Sequence, residues 1–117
     1  MILYGIPNCN TVKKARDWLA THGIDYQFHD YKKQGVPLAA LQKMMAAHGW
    51  EALLNRRGPT WRKLDAAVQA SVTDAASALA VMQAHSSTIK RPLLDCDGRY
   101  LVGFAEADYA AFFEKSA

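Results

Sequence analysis

The chain opens with a change of hydrophobic period. Ile2-Leu3-Tyr4-Gly5-Ile6 is a short β-rich run, Pro7-Asn8 stops it, and from Val12 the apolar residues Val12, Ala15, Trp18 and Leu19 recur at helical spacing until Gly23. This reads as strand, tight turn, helix. A second alternating run from Tyr26 to Tyr31 sets Tyr26, Phe28 and Asp30 against Gln27 and His29, between Asp25 and a polar loop, Lys32-Lys33-Gln34-Gly35. The three pieces predict a βαβ crossover with a parallel strand pair.

The middle of the chain is helical in pattern. Pro37 suits the first position of a helix, and Leu38, Leu41, Met44, Met45 and His48 form a stripe up to Gly49. Trp50 to Asn55 reads as a further short helix and Arg56 to Lys63 as a basic loop around Gly58-Pro59. Thr73-Asp74 reads as an N-cap and first turn for an Ala-rich helix through Gln83. After Ser86-Ser87 the pattern returns to strands. Pro92-Leu93-Leu94 and Tyr100-Leu101-Val102 flank Asp97-Gly98, a two-residue hairpin signal. Glu106 to Lys115 closes as an amphipathic helix with Tyr109, Phe112 and Phe113 on one side. The order β-α-β, helical block, β-β-α predicts an α/β chain. That order predicts a thioredoxin-like fold, with a helical insertion at about 37–85 between the βαβ and ββα halves.

Composition narrows the class. At 117 residues, one domain spanning 1–117 is expected, since two cores would each be small. Half the residues are apolar and 21% charged, which excludes a disordered or fibrous chain. No uninterrupted apolar run approaches eighteen residues and the N-terminus lacks a basic, apolar leader pattern, so a soluble cytoplasmic protein with no membrane partner is expected. The net charge of +3 is mild, with eleven acidic residues among fourteen basic ones, and nucleic acid is not an expected partner.

The chemistry concentrates at Cys9, between the first strand and the first helix. Free backbone N–H groups and the positive end of the helix dipole favour an anion there, and such placement with basic neighbours lowers a cysteine pKa from about 8.5 into the range of roughly 3.5–7.5. Packing of a small side chain at the junction is the competing role. Thr11 can cap the helix start or donate its hydroxyl to the thiolate, with capping the simpler role. The residue three beyond Cys9 is Val12, so no local CxxC disulfide can form and the site is monothiol. Arg91-Pro92 stands before the third strand, a place for a cis peptide, from which Arg91 would project near Cys9 to hold a carboxylate or stabilise an oxyanion. A trans proline with a solvated arginine is the alternative.

Cys96 is the other thiol. At about 3.3 Å per residue it lies roughly 13 Å along the strand from Pro92, beyond the ~7 Å Cα separation of a disulfide, so it reads as structural and resolution of an oxidised Cys9 requires an external thiol. Nine of the fourteen basic residues fall in three clusters: Lys13, Lys14 and Arg16; Arg56, Arg57, Arg62 and Lys63; and Lys90 and Arg91. The first and third are expected to flank Cys9, and the second could close over it, which suggests a small anionic substrate; solvated faces are the ordinary alternative. His22, His29, His48 and His85 share no metal-ligand spacing, and no metal is expected. Trp18, Trp50 and Trp61 read as packing residues.

Tyr4 through Ala15, with Ile89-Lys90-Arg91-Pro92-Leu93 and Gly103-Phe104 downstream, closely resembles the arsenate-reductase-like ArsC/Spx family, and within it the YffB branch. The resemblance extends to Phe28-His29-Asp30-Tyr31 and to Trp50 through Asn55, and so covers essentially the whole chain. It implies a thioredoxin-like fold with a helical insertion. It also implies a catalytic Cys at Cys9, an Arg-Pro pair at Arg91-Pro92 and the family's threonine at Thr11. Of three arginines that the arsenate reductases place around their oxyanion, two positions read Asn55 and Gly103 here, which weakens an arsenate reading. The Spx branch implies binding to RNA polymerase and a CxxC switch that Val12 removes.

Together these readings predict a glutathione-dependent thiol reductase, with Cys9 and Arg91 catalytic and Asn10, Thr11, Lys13, Arg57 and Pro92 binding the substrate. No cofactor is expected to be tightly bound. Glutathione is the expected co-substrate, with glutaredoxin or a small oxidised molecule as a further partner. The alternatives are an Spx-like regulator without catalysis and a residual arsenate reductase.

Overall fold

The computed structural model describes residues 1–114. They divide into two compact units: one is Met1–Asp30 together with the chain from Arg91 onward, the other is Tyr31–Lys90. The helical block expected over about 37–85 falls inside the second.

The first unit holds the sheet. Strand β1 (Ile2–Gly5) leads into helix α1 (Asn10–Thr21), and β2 (Gln27–Asp30) follows. β3 (Leu93–Cys96), β4 (Arg99–Val102) and helix α8 (Glu106–Glu114) complete it. Lys115, the expected end of that last helix, lies outside the described residues. The sheet order is β2-β1-β3-β4, with β1 parallel to β2 and the two other pairs antiparallel. This is the βαβ and ββα frame that the hydrophobic periods predict. The β3–β4 turn has φ of 52° at Asp97 and 87° at Gly98, the pair of left-handed conformations that a two-residue hairpin following the strand twist requires. Leu3, Ala15, Leu19, Leu94, Tyr109 and Phe112 form the buried core, so α1 and α8 each contribute an apolar stripe to the sheet. Trp18 meets Tyr109 edge-on at 5.5 Å between ring centroids, and Phe104 meets it likewise at 4.7 Å.

The second unit is helical and differs from expectation in its short pieces. Residues 32–35, expected as a loop, begin within α2 (Tyr31–Gln34), and the basic stretch 56–63, also expected as a loop, contains α5 (Pro59–Arg62) with proline in its first turn. Helix α6 (Ala66–Ser71) has no counterpart in the sequence reading. One- and two-turn helices bury too few positions for a period to show. Helix α3 (Leu38–His48) starts one residue after Pro37, which stands at its N-cap rather than its first helical position, and α4 (Trp50–Leu53) stops short of Asn55. Helix α7 (Ala75–Ala84) starts one residue later than the expected Thr73 cap and Asp74 first turn, because Asp74 itself is the N-cap: the Ser77 N–H donates to Asp74 Oδ1 at 2.8 Å in a capping box. Leu54 and Ile89 form an antiparallel bridge. Around it, Asn55 N–H donates to Thr88 O at 2.7 Å and Lys90 N–H to Leu53 O at 2.8 Å. Among the described residues no helix is long and apolar enough to cross a membrane.

Candidate active site

The register of β1 against β3 builds the site. Tyr4 pairs with Leu93, so the chain entering β3 arrives beside the chain leaving β1. Arg91 and Pro92 therefore lie next to Gly5 and the turn that carries Cys9. The Arg91–Pro92 peptide is cis, and the Pro92 carbonyl accepts a 2.9 Å hydrogen bond from Gly103 N–H. Gly5 matters for the approach of α1. A Cβ there would stand 2.9 Å from Val12 Cγ2, so the absence of a side chain lets α1 close on β1, whereas Arg91 Cβ, at 3.8 Å, would be in ordinary contact with it.

Cys9 is the N-cap of α1, with extended backbone (φ −103°, ψ 125°) and a half-buried side chain. Its carbonyl accepts the first helical bond, from Lys13 N–H at 2.9 Å. Burial alone raises the thiol pKa, but the Val12 amide, the Arg91 side chain and the Thr11 amide each favour the thiolate, and the Arg91 charge adds to them. Their combined effect outweighs burial and holds the thiol below its ordinary value. Strictly aligned side-chain capping is absent at Cys9, so these amides act as dipoles facing a large, diffuse sulfur and not as ideally directed donors.

The first unit thus brings Cys9, Asn10, Thr11, Lys13, Arg91 and Pro92 to one end of the sheet. Asn10, Thr11 and Lys13 are exposed in the first turn of α1, and Pro92 is buried. Thr11 does not cap the helix: Cys9 holds that position, and Thr11, the second helical residue, acts on the sulfur through its backbone N–H. Arg16 also departs from the expected site cluster. Two turns along α1 it faces β2, where its Nε donates to Tyr26 Oη at 3.0 Å and its guanidinium lies 4.2 Å from the Phe28 ring centroid. Lys14 lines a cleft of about 950 Å³ with Asp17, Trp18, His22, Phe104 and Glu106, and Cys9 is not among the residues around it.

Cys96 ends β3, and Asp95 before it pairs with Ile2, the start of β1, whereas Cys9 follows the end of β1. The two free thiols accordingly lie at opposite ends of the sheet.

Arg57 belongs to the second unit, where the sequence signal missed the part played by its neighbours. Asn55 Oδ1 accepts the N–H groups of both Arg57 and Gly58 at 3.1 Å, and a Cβ on Gly58 would come within 2.8 Å of Asn55 Nδ2. Arg56 places its guanidinium 5.2 Å from the Trp50 ring and 5.9 Å from the Trp61 ring. Arg56 therefore braces this loop, and Arg57 is exposed beyond it. The Asn-x-x-Gly spacing of Asn55 and Gly58, with a tryptophan on either side, was the available sequence clue.

The ArsC family model matches residues 4–112. An uncharacterized protein of Haemophilus influenzae is 45% identical over 111 residues, covering 95% of this chain and 96% of that protein. The global transcriptional regulator Spx of Streptococcus pyogenes is 28% identical over 116 residues, covering 97% of this chain and 84% of the regulator. A solved structure of the YFFB protein is 51% identical, with a TM-score of 0.89 over 94% of this chain and 96% of that one. An arsenate reductase (ArsC) related protein from Brucella melitensis is also 51% identical, with a TM-score of 0.73 over 97% and 93% of the two chains. Since the match runs from the first strand into the last helix, the chain belongs to the ArsC family and has its arsenate-reductase-like, thioredoxin-like fold.

Proposed function

We propose that the protein is a glutathione-dependent thiol reductase with Cys9 as its nucleophile. The observation that carries this reading is the sulfur at the head of α1 beside the Arg91 side chain, held below its ordinary pKa. In the reaction, the Cys9 thiolate attacks one sulfur of a disulfide. The S–S bond breaks, a mixed disulfide forms at Cys9, and the departing thiolate takes up a proton. A glutathione thiolate then attacks the mixed disulfide and releases Cys9, and a second glutathione reduces the product, so that two glutathione thiols become one glutathione disulfide. Arg91 would hold a carboxylate of the anionic thiol or steady the charge on the leaving sulfur. An external thiol is required because Cys96 sits at the far end of the sheet and Val12 occupies the local resolving position.

The experiment is the rate of Cys9 alkylation against pH, with mass analysis after exposure to glutathione disulfide. An early rise in rate and a single glutathione adduct at Cys9 are expected. Reductase activity should vanish in Cys9→Ala and persist in Cys96→Ala, and an active Cys9→Ala protein sinks the mechanism.

Arsenate reduction is less well supported by the local structure. Asn55, at one arginine position of the arsenate reductases, uses its side-chain oxygen within its own loop, and Gly103, at another, has φ of 78°, which disfavours a side chain. The likeness to Spx favours a second reading, a regulator that acts by binding RNA polymerase. Recovery of polymerase equally by wild type and Cys9→Ala, with no thiol turnover, would support it.

A further inference from the structure

Strands β3 and β4 are joined by a turn at one end and open at the other. Their register pairs Leu93 with Val102, and one step further toward the open end it sets Pro92 opposite Gly103. In a hydrogen-bonded antiparallel pair the two residues exchange two bonds, but Pro92 has no N–H to give. The pair is therefore tied by one bond, in which Gly103 N–H donates to the Pro92 carbonyl at 2.9 Å. Gly103 has φ of 78°, and a Cβ there would meet nothing within 4 Å. Space does not demand glycine at this position; the backbone conformation does.

Pro92 passes that constraint on to Arg91. The hydrogen bond fixes the direction of the Pro92 carbonyl, the ring fixes the φ of Pro92 at about −65°, and the peptide between Arg91 and Pro92 is planar. The Arg91 Cα therefore follows the Pro92 carbonyl as part of one rigid link, and Arg91 is the residue whose side chain reaches the Cys9 sulfur. A side chain at position 103 would relieve its strain by turning the peptide between Val102 and Gly103, which swings the N–H off the Pro92 carbonyl. We propose that Gly103 is a positioning residue for Arg91: its N–H, held by a left-handed backbone that glycine adopts at little cost, fixes Pro92 and so places the Arg91 guanidinium beside Cys9. This rests on the reading of Cys9 and Arg91 as the reactive pair. All four residues lie in the first unit, and Gly103 acts through the backbone and need not touch substrate.

The rate of Cys9 alkylation is measured against pH in wild type, Gly103→Ala, Gly103→Asn, Gly98→Ala and Arg91→Ala, with unfolding by urea in parallel. Gly98 is the matched control: it lies in the turn at the other end of the same two strands, has φ of 87° and likewise has nothing within 4 Å of a Cβ. Gly103→Ala should move the profile toward that of Arg91→Ala and slow alkylation at neutral pH by about two- to threefold, a fraction of what one lost hydrogen bond can do. Gly103→Asn should move it less, because asparagine tolerates a left-handed backbone better than alanine despite its greater bulk. Gly98→Ala should lower stability and leave the profile in place. If Gly103→Ala does not fold, a Gly103→Asn shift absent from Gly98→Ala carries the result, and no shift overturns the inference. A lowered wild-type profile that Arg91→Ala shifts and Gly103→Ala leaves unchanged overturns this inference alone. An asparagine effect as large as that of alanine assigns the change to side-chain bulk, and an equal shift in Gly98→Ala assigns it to general loosening of the hairpin; either also overturns it. A wild-type profile at the ordinary cysteine position, or one that Arg91→Ala does not move, overturns the reading of the site and this inference with it.

Discussion

Gly5 and Val12 offer a quantitative test of how the site is assembled. In Gly5→Ala the new Cβ would meet Val12 Cγ2 at 2.9 Å and Cγ1 at 3.4 Å. Val12 is fully buried in the first turns of α1, and a β-branched side chain in a helix has essentially one rotamer, so the methyl cannot swing aside. The helix must move instead. Overpacking of this kind costs about 1–3 kcal/mol, and restricting the unfolded chain returns about 0.4–1 kcal/mol, which leaves a net loss of about 1–2 kcal/mol. Val12→Ala deletes two buried methyl-sized groups at about 0.8 kcal/mol each plus a residual cavity, a loss of about 2 kcal/mol. In the double variant the added methyl occupies the space left by the removed ones, so the combined loss should fall short of the sum by about 1 kcal/mol or more. Urea unfolding of the four proteins, with equal m-values confirmed, gives the coupling. Additivity to within about 0.5 kcal/mol would refute the argument that Gly5 is required by the approach of Val12. A functional readout accompanies it. The Val12 amide favours the Cys9 thiolate, so Gly5→Ala should slow Cys9 alkylation at neutral pH and the double variant should recover part of it.

Three further outcomes follow from the same geometry. Cys9 has a folded-state pKa below its unfolded value, so the thiolate contributes stability that is present above the unfolded pKa and is lost as pH falls through the folded one; the urea midpoint of wild type minus that of Cys9→Ser should therefore grow as pH is raised through neutrality toward 9, and a difference that shrinks contradicts the lowered pKa. Arg16→Ala should cost about 1 kcal/mol through the lost Tyr26 hydrogen bond and Phe28 contact while leaving Cys9 alkylation unchanged, since the side chain faces β2. The Tyr109 hydroxyl is buried with no hydrogen-bond partner among the described residues, and burial pushes its pKa far up; thermal melting of Tyr109→Phe should show equal or higher stability, and a loss above about 1 kcal/mol would reveal a partner.

Much of this architecture is legible in the sequence. The switch from strand to helical period between Ile6 and Val12, the alternation up to Tyr31 and the Asp97-Gly98 pair announced the βαβ and ββα halves, because each is a local pattern enforced by sterics and burial. The start of α7 at Thr73-Asp74 is legible for the same reason, although the cap falls on Asp74 and not on Thr73. The short helices α2, α5 and α6 are not legible, since a turn or two presents no repeat and tertiary packing determines whether it forms. Position also marked Cys9: a thiol between strand and helix meets unpaired N–H groups whatever the rest of the chain does.

Direction and pairing needed the tertiary structure. Lys13, Lys14 and Arg16 are neighbours in sequence, yet the helix turns Arg16 toward Tyr26 and Phe28 and Lys14 toward a separate cleft, because residues one to three apart on a helix leave in different directions. Thr11 likewise supplies its amide and not the hydroxyl that capping would use. The sequence by itself determined that one thiol would sit at a helix start in an α/β frame, since periodicity and turn chemistry are local. It left Arg91 either beside that thiol or in solvent, and only the tertiary structure decided between the two, because the meeting depends on the antiparallel register of Tyr4 with Leu93, residues 89 positions apart.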